Sequence, residues 1–231
     1  MPSKQKVFWD GVRAEAPLLL GVFPFGTIYG MLALQAGIAA FPAQMMSSIV
    51  FAGSSQFVFA QLWADTAPAL VIVLTIFVVN LRHALYSASV APYVESLPMR
   101  WKVLLSYLLT DEAYAATIAH YEYDRKDHDH YFFLGAGLAL WTTWQISTAL
   151  GVVLGNEVTS SLSMIQPYLE FTLPLTFIAI VVPALKDRAG LAAAITSGVA
   201  ALIVFDLPYR LSLIAAALIG ILAGVIVERR S

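Results

Sequence analysis

The sequence predicts an all-α, polytopic membrane protein of about eight transmembrane helices, several of them discontinuous. Three observations lead there. Of the 231 residues, 59% are hydrophobic and only 12% charged, against roughly 25% charge in an ordinary globular chain; mean hydropathy is +0.76. Apolar windows of about 20 residues recur from near Ala16 to near Val227, each long enough at about 1.5 Å per residue for a hydrocarbon core of roughly 30 Å. Proline, glycine and paired polar residues interrupt several of these windows part-way.

Taken in order, residues 1–16 carry Lys4, Lys6 and Arg13 beside Asp10 and Glu15 and lack a small-residue cleavage site, so they lead into a retained first helix. The segments expected to span are 16–38, 42–62, 67–90, 101–120, 131–154, 167–185, 189–205 and 210–227. Breaks are expected in the first at Pro24 and Gly26, in the second around Phe51 to Phe57, and in the sixth at Pro174, because proline removes a backbone donor and glycine loosens the helix. The interrupted first and second spans are echoed by the fifth and sixth roughly 120 residues later, as in transporters built from repeats, although no residue identity supports a repeat. Gly26 and Gly30, Gly151 and Gly155, and Gly220 and Gly224 have the small-xxx-small spacing of packed helices. Connections are short apart from 121–130 and 156–166, so residues 1–231 read as one transmembrane domain without a soluble domain.

Orientation follows from the basic residues near helix ends, which are retained in the cytoplasm. With eight crossings and both termini inside, Lys4, Lys6, Arg13, Arg125, Lys126, Lys186, Arg188, Arg229 and Arg230 fall on the inner side, and Arg100, Lys102 and Arg210 on the outer. A multi-pass protein of the bacterial inner membrane is expected. The net charge of −2 and the absence of a basic patch exclude a nucleic-acid partner, and the absence of cysteine excludes disulfides, thiol catalysis and thiolate metal sites. No cofactor and no metal site are expected.

Within this apolar chain the charges inside spans stand out. A charged side chain near the centre of a spanning helix costs roughly 2.5 to 3.5 kcal/mol on insertion scales, so Arg82 and His83 in the third segment need a partner, a wet cavity or a task. On a helix Asn80, His83 and Ser87 share one face, and Arg82, Tyr86 and Ser89 form the adjacent stripe. Asp111 and Glu112, midway along the next segment, fall at about the depth of Arg82, so an ion pair with either carboxylate is expected. Such a pair is either purely structural or part of a site whose carboxylate carries a proton while Arg82 or His83 neutralises it or binds a substrate carboxylate. His83 alone also fits a simple interhelical hydrogen bond. Gly53, Ser54, Ser55 and Gln56 offer hydroxyls, an amide and a loosened backbone suited to an α-amino acid, with Phe25, Phe51, Phe57, Met45 and Met46 nearby for its apolar side chain.

The strings Val50-Phe51-Ala52-Gly53-Ser54-Ser55-Gln56-Phe57, Asn80-Leu81-Arg82-His83-Ala84-Leu85-Tyr86 and Leu109-Thr110-Asp111-Glu112-Ala113-Tyr114 resemble, in that order and spacing, the AzlC family. The resemblance covers nearly the whole chain, including Val181-Val182-Pro183-Ala184-Leu185. It implies the large subunit of a two-component exporter of branched-chain amino acids, paired with a small AzlD-type membrane subunit. It further implies export of leucine, isoleucine or valine, in some members methionine, driven by the proton gradient. Carried over, the motif positions are Gly53, Ser54, Gln56, Asn80, Arg82, His83, Tyr86, Thr110, Asp111 and Glu112. On this reading Gly53, Ser54, Ser55, Gln56, Asn80, Arg82 and Tyr86 bind substrate, and His83, Asp111 and Glu112 couple protons.

The leading expectation is therefore a secondary transporter of the antiporter type and no enzyme; no phosphate-binding Gly-x-x-x-x-Gly-Lys sequence is present, so ATP is not consumed by this chain. The alternatives are a passive channel for small solutes or a structural membrane subunit. An intramembrane hydrolase using Ser54 or Ser55 with His83 and Asp111 has the residue types but no nucleophile-elbow context.

Overall fold

The computed structural model describes residues 2–123, 128–157, 187–207 and 211–229, together with Ile178, Val182 and Leu185. Among these the helices are α1 Lys4–Gln35, α2 Ala40–Ile49, α3 Gly53–Ala64, α4 Ala69–Val94, α5 Met99–Tyr107, α6 Asp111–Tyr123, α7 His130–Glu157, α8 Arg188–Ile203 and α9 Leu211–Glu228. The chain is all-α over the described residues, as the sequence predicts. Among the described residues three helices are long and apolar enough to cross a bilayer: α1, α4 and α7. Helices α2, α3, α5 and α6 have 10, 12, 9 and 13 residues, about half the length a crossing needs.

α1 starts at Ser3, whose side chain accepts from Lys6 N, and ends where Gly37 adopts φ 80° and the Gly37 and Ile38 amides bond back to Leu34 and Ala33. The break expected at Pro24 and Gly26 is absent, and the helix runs through both Pro17 and Pro24. Thr27 donates to the Phe23 carbonyl at 3.0 Å, an ordinary i−4 back-bond of a helical threonine. Gly26 serves contact instead: a Cβ there would stand 2.0 Å from Ser147 Oγ. The same seam continues at Gly30, where a Cβ would meet the Thr148 carbonyl at 2.4 Å, and at Gly151, where it would meet the Thr27 carbonyl at 2.0 Å. α1 and α7 thus lie parallel with backbones in contact, the packing that small residues permit in lipid. Pro174 lies outside the described residues.

Segments 42–62 and 101–120, expected to cross, turn back. Tyr29 donates to the Ala43 carbonyl at 3.1 Å and has its ring 5.9 Å from that of Phe57. In a straight helix those two partners would be about 20 Å apart. α2 therefore enters from the end where α1 finishes, and α3 returns to it. Likewise the Trp101 ring lies 4.7 Å from His130 and 5.2 Å from Tyr131, while His120 stacks on Phe132 at 3.9 Å, so α5 enters and α6 leaves at the end where α7 begins. α4 connects the two hairpins, antiparallel to α3 through Ser55–Asn80 and the Leu62–Ile72 cluster, and parallel to α6 through Arg82–Asp111 and Tyr93–Tyr121.

A long helix followed by a half-length hairpin thus occurs twice, α1–α2–α3 and α4–α5–α6, about sixty residues apart and in opposite directions. That unit differs from the first-and-second to fifth-and-sixth correspondence expected from the sequence. It also moves Arg100 and Lys102 from the outer side, where eight crossings would put them, to the end shared with Lys4, whose ammonium sits 5.7 Å above the Tyr131 ring. α8 and α9 form an antiparallel pair closed at Gly220, where a Cβ would meet Ser197 Cβ at 2.7 Å.

Candidate functional site

The tips of the two hairpins meet at the middle of the bundle. In the first, the chain turns at Phe51, whose φ of 41° is a left-handed conformation that bulky residues avoid. Phe51 is held there by burial and by the Tyr107 ring at 6.0 Å. Tyr107, the last residue of α5, donates to the Ser48 carbonyl and accepts from Trp141 Nε1 at 2.8 Å, so both tips are tied to each other and to α7. In the second hairpin the break covers Leu108 to Thr110, and the Thr110 hydroxyl accepts from Ala113 N at 3.4 Å as an N-cap. Asp111 and Glu112 occupy the first turn of α6, where the helix dipole favours carboxylates.

α4 carries the complementary charge past this point. The Arg82 guanidinium donates to one Asp111 oxygen, and the Tyr86 hydroxyl donates to the other at 2.7 Å. The Tyr86 ring stacks on Tyr114 at 4.4 Å, and Tyr114 donates to Ser89 at 3.0 Å, which fixes α4 against α6. A cavity of about 30 Å³ opens beside the ion pair, bordered by Gly53, Ser54, Arg82, His83, Asp111 and Glu112, with Val22, Phe25, Phe51 and Trp144 among its apolar walls. It has room for about one water molecule, far below the roughly 300 Å³ at which organic ligands are held. As it stands the cavity is too small to admit an amino acid. Ser54 Oγ and Arg82 Nε are buried beside it without a hydrogen-bond partner among the described residues, and two such groups mark a place where water or a ligand supplies the missing bonds.

Nine of the residues singled out from the sequence, Gly53, Ser54, Arg82, His83, Thr110, Asp111 and Glu112 with Phe25 and Phe51, thus border one cavity, and Tyr86 reaches it through Asp111. Ser55 and Asn80 are bonded to each other at 2.6 Å and tie α3 to α4. Gln56 is fully buried with its amide donating to Ser47 at 2.9 Å and accepting from Trp144 at 3.1 Å; it clamps the first hairpin against α7 and does not border the cavity. Phe57 stacks behind Phe25 at 4.4 Å, and Met46 lies against the Tyr29 hydroxyl at 3.7 Å. Sequence reasoning missed Trp144 as a wall, Tyr107 as the link between tips, and the Gln44–Ser48–Gln145 bonds joining α2 to α7. Polar residues in the apolar run of α7 were the available signal.

A family model described as "AzlC protein" matches residues 17–158, more than half of the chain and all of the region holding both hairpins and the cavity. The chain belongs to the AzlC family. Among AzlC-like relatives, it is 24% identical to the inner membrane protein YgaZ of Escherichia coli strain K12 over 222 residues, covering 95% of this chain and 86% of the relative. It is 31% identical to an uncharacterized membrane protein of Archaeoglobus fulgidus over 219 residues, covering 94% of both. A membrane protein of Helicobacter pylori strain 26695 is 27% identical over 176 residues, 76% of this chain and 74% of its own length. No solved structure matches the chain. Family and composition together make this a membrane protein of the AzlC family, which is consistent with a transporter.

Proposed function

We propose that the chain is the large subunit of a secondary transporter that exports leucine, isoleucine, valine or methionine from the cytoplasm in exchange for protons, working with a small AzlD-type membrane subunit. The observation that carries this reading is the small mid-bundle cavity, where the start of α3 and Arg82 face the Asp111–Glu112 pair. Ala52 at the N-cap of α3 has no side chain to satisfy the first-turn amides, which suits them to an incoming carboxylate. Arg82 and Ser54 add donors to the same anion. The ammonium group turns to Asp111 and Glu112, and the branched side chain to Phe25, Phe51 and Trp144.

Exchange follows from competition for the acids. Arg82 neutralises Asp111, leaving Glu112 as the carboxyl that either a proton or the substrate ammonium neutralises, so the carrier returns with one after releasing the other. His83 borders the same cavity and takes part in proton movement. Hairpins entering from opposite ends provide two gates, one on each side of the site.

We assign the end bearing Lys4, Lys6, Arg13, Arg100 and Lys102 to the cytoplasm, since the opposite ends of α1, α3, α4 and α7 carry no Lys or Arg. The N-terminus is cytoplasmic on this reading, in a bacterial inner membrane, and we propose the same side for the C-terminus. Proteoliposomes holding the chain with its small partner should show saturable leucine or valine counterflow and accumulation driven by a proton gradient. Ohmic current without counterflow would instead mean a passive channel, a reading that the closed hairpin tips do not favour.

A further inference from the structure

Glu15 is the one acidic residue of α1 that is completely buried, at 0% exposure, and neither of its carboxyl oxygens has a hydrogen-bond partner among the described residues. An isolated buried carboxylate is among the most expensive groups in a protein interior, and the group escapes the cost by holding a proton. Its position gives that proton a direction. Val22, which borders the cavity, lies seven residues further along α1, so Glu15 stands about 10 Å from the site toward the end that bears Lys4.

On α6, Thr117 stands about 9 Å from Asp111 toward the same end, is also fully buried, and its hydroxyl also has no partner among the described residues. α1 and α6 pack against each other, so two orphaned polar groups lie at one level on touching helices. The charged groups facing this level are few. Glu112 of α6 lies within electrostatic reach of Glu15, the buried His120–Asp129 pair ties α6 to the start of α7 one turn beyond Thr117 toward the Lys4 end, α7 has no charged residue between His130 and Glu157, and Arg13 on α1 is exposed and paired with Asp10.

We propose that Glu15 is a second proton-carrying carboxyl, which relays protons between Glu112 at the cavity and cytoplasmic water. Glu112 gives up its carboxyl proton, an ionised Glu15 takes it, and Glu15 returns it to water when the α5–α6 hairpin opens; only O–H bonds are broken and made. Thr117 orients the intervening water. The proposal rests on the proton-coupled export reading and adds to it a route on the inner side.

The test is Glu15→Gln in proteoliposomes with the small subunit, read in two ways. Gradient-driven leucine accumulation is expected to fall at least about tenfold, with leucine counterflow at zero gradient falling far less. With leucine bound to keep Glu112 ionised, the infrared C=O stretch of a protonated buried carboxyl, present in the wild type at neutral pH, is expected to lose its Glu15 component in Glu15→Gln and to persist in Thr117→Val. Full gradient-driven accumulation by Glu15→Gln, or an unchanged infrared band, overturns the relay. Wild-type counterflow without any gradient-driven accumulation sinks the coupling reading itself, and the infrared band still reports on Glu15. Should Glu15→Gln fail to reach the membrane, Glu15→Asp carries the test: it is expected to restore coupling with a displaced pH profile, and a profile identical to wild type overturns the relay.

Discussion

Replacing Asp111 separates the structural duty of the Arg82 pair from its duty in transport. The side chains of Arg82 and Asp111 are 20% and 9% exposed, so the pair is buried enough that losing one partner matters. Breaking a buried ion pair costs about 3–5 kcal/mol, because the surviving charge is left uncompensated. Asp111→Ala incurs nearly all of that, since it removes the acceptor of both Arg82 and Tyr86 while Arg82 Nε already lacks a partner. Asp111→Asn keeps an oxygen for Arg82 and an amide for the Tyr86 hydroxyl, so about 1–2 kcal/mol is expected. The pair Arg82→Met with Asp111→Leu removes both charges together and is expected to lie within about 1 kcal/mol of wild type. Thermal unfolding in nanodiscs ranks the three variants, and proteoliposomes read transport in parallel. All three are expected to lose proton-driven export, including the double variant that is nearly as stable as wild type. If the double variant is as unstable as Asp111→Ala, the desolvation argument is wrong; if Asp111→Asn exports normally, Asp111 has no part in coupling.

Three further outcomes follow from the packing. Because the chain has no native cysteine, single cysteines give clean labelling: Lys4→Cys and Arg100→Cys are expected to react from one face and Asp65→Cys from the other, and opposite faces for Lys4 and Arg100 would refute the α5–α6 hairpin. Gly151→Leu drives a side chain into the Thr27 carbonyl and is expected to cost about 3 kcal/mol or prevent accumulation, whereas Gly198→Leu, with nothing within 4 Å of its Cβ, should leave expression and melting temperature near wild type. Tyr107→Phe removes the bonds to Ser48 and Trp141, about 1 kcal/mol of tip-to-tip closure, and is expected to raise the labelling rate of Ser54→Cys roughly fivefold; an unchanged rate would mean the tips are not the gate.

What the sequence could reveal was set by which forces act locally. The Arg82–Asp111 pair was legible, because two ionised groups at equal depth in neighbouring apolar segments have few other ways to avoid lipid. The hairpins were not. Hydropathy sums apolar length, and α2 with α3 adds up to a plausible crossing; only long-range contacts, with Tyr29 touching both Ala43 and Phe57, reveal that the chain reverses. The break at Leu108 to Thr110 has neither proline nor glycine, and its marker was the Thr110 cap followed by two acids, which reads equally well as a polar face of one long helix. Conversely Pro24 announced a break that is absent, in a helix packed closely along α7 through Gly26, Gly30 and Gly151. Glu15 was visible as a residue but not as an anomaly, because the sequence alone left it among the solvated charges of the N-terminus.

The reversed hairpins also explain why an arginine, a histidine and two acids gather at one depth. A half-length helix must end inside the bilayer, and its terminal backbone groups then need partners other than lipid. Two such ends arranged tip to tip place the start of α3 beside the start of α6, and both helix starts favour negative charge. At α6 that preference is met by Asp111 and Glu112 from within the chain, and Arg82 on α4 neutralises the excess. At α3, Ala52, Gly53 and Ser54 supply no anion, and the nearest candidate cation for one is the same Arg82. On the transport reading, a substrate carboxylate arriving at α3 therefore competes with Asp111 for a shared guanidinium. The loading of one hairpin tip thereby changes the charge balance of the other, and this couples the outer gate to the inner one without any signal travelling beyond a single side chain.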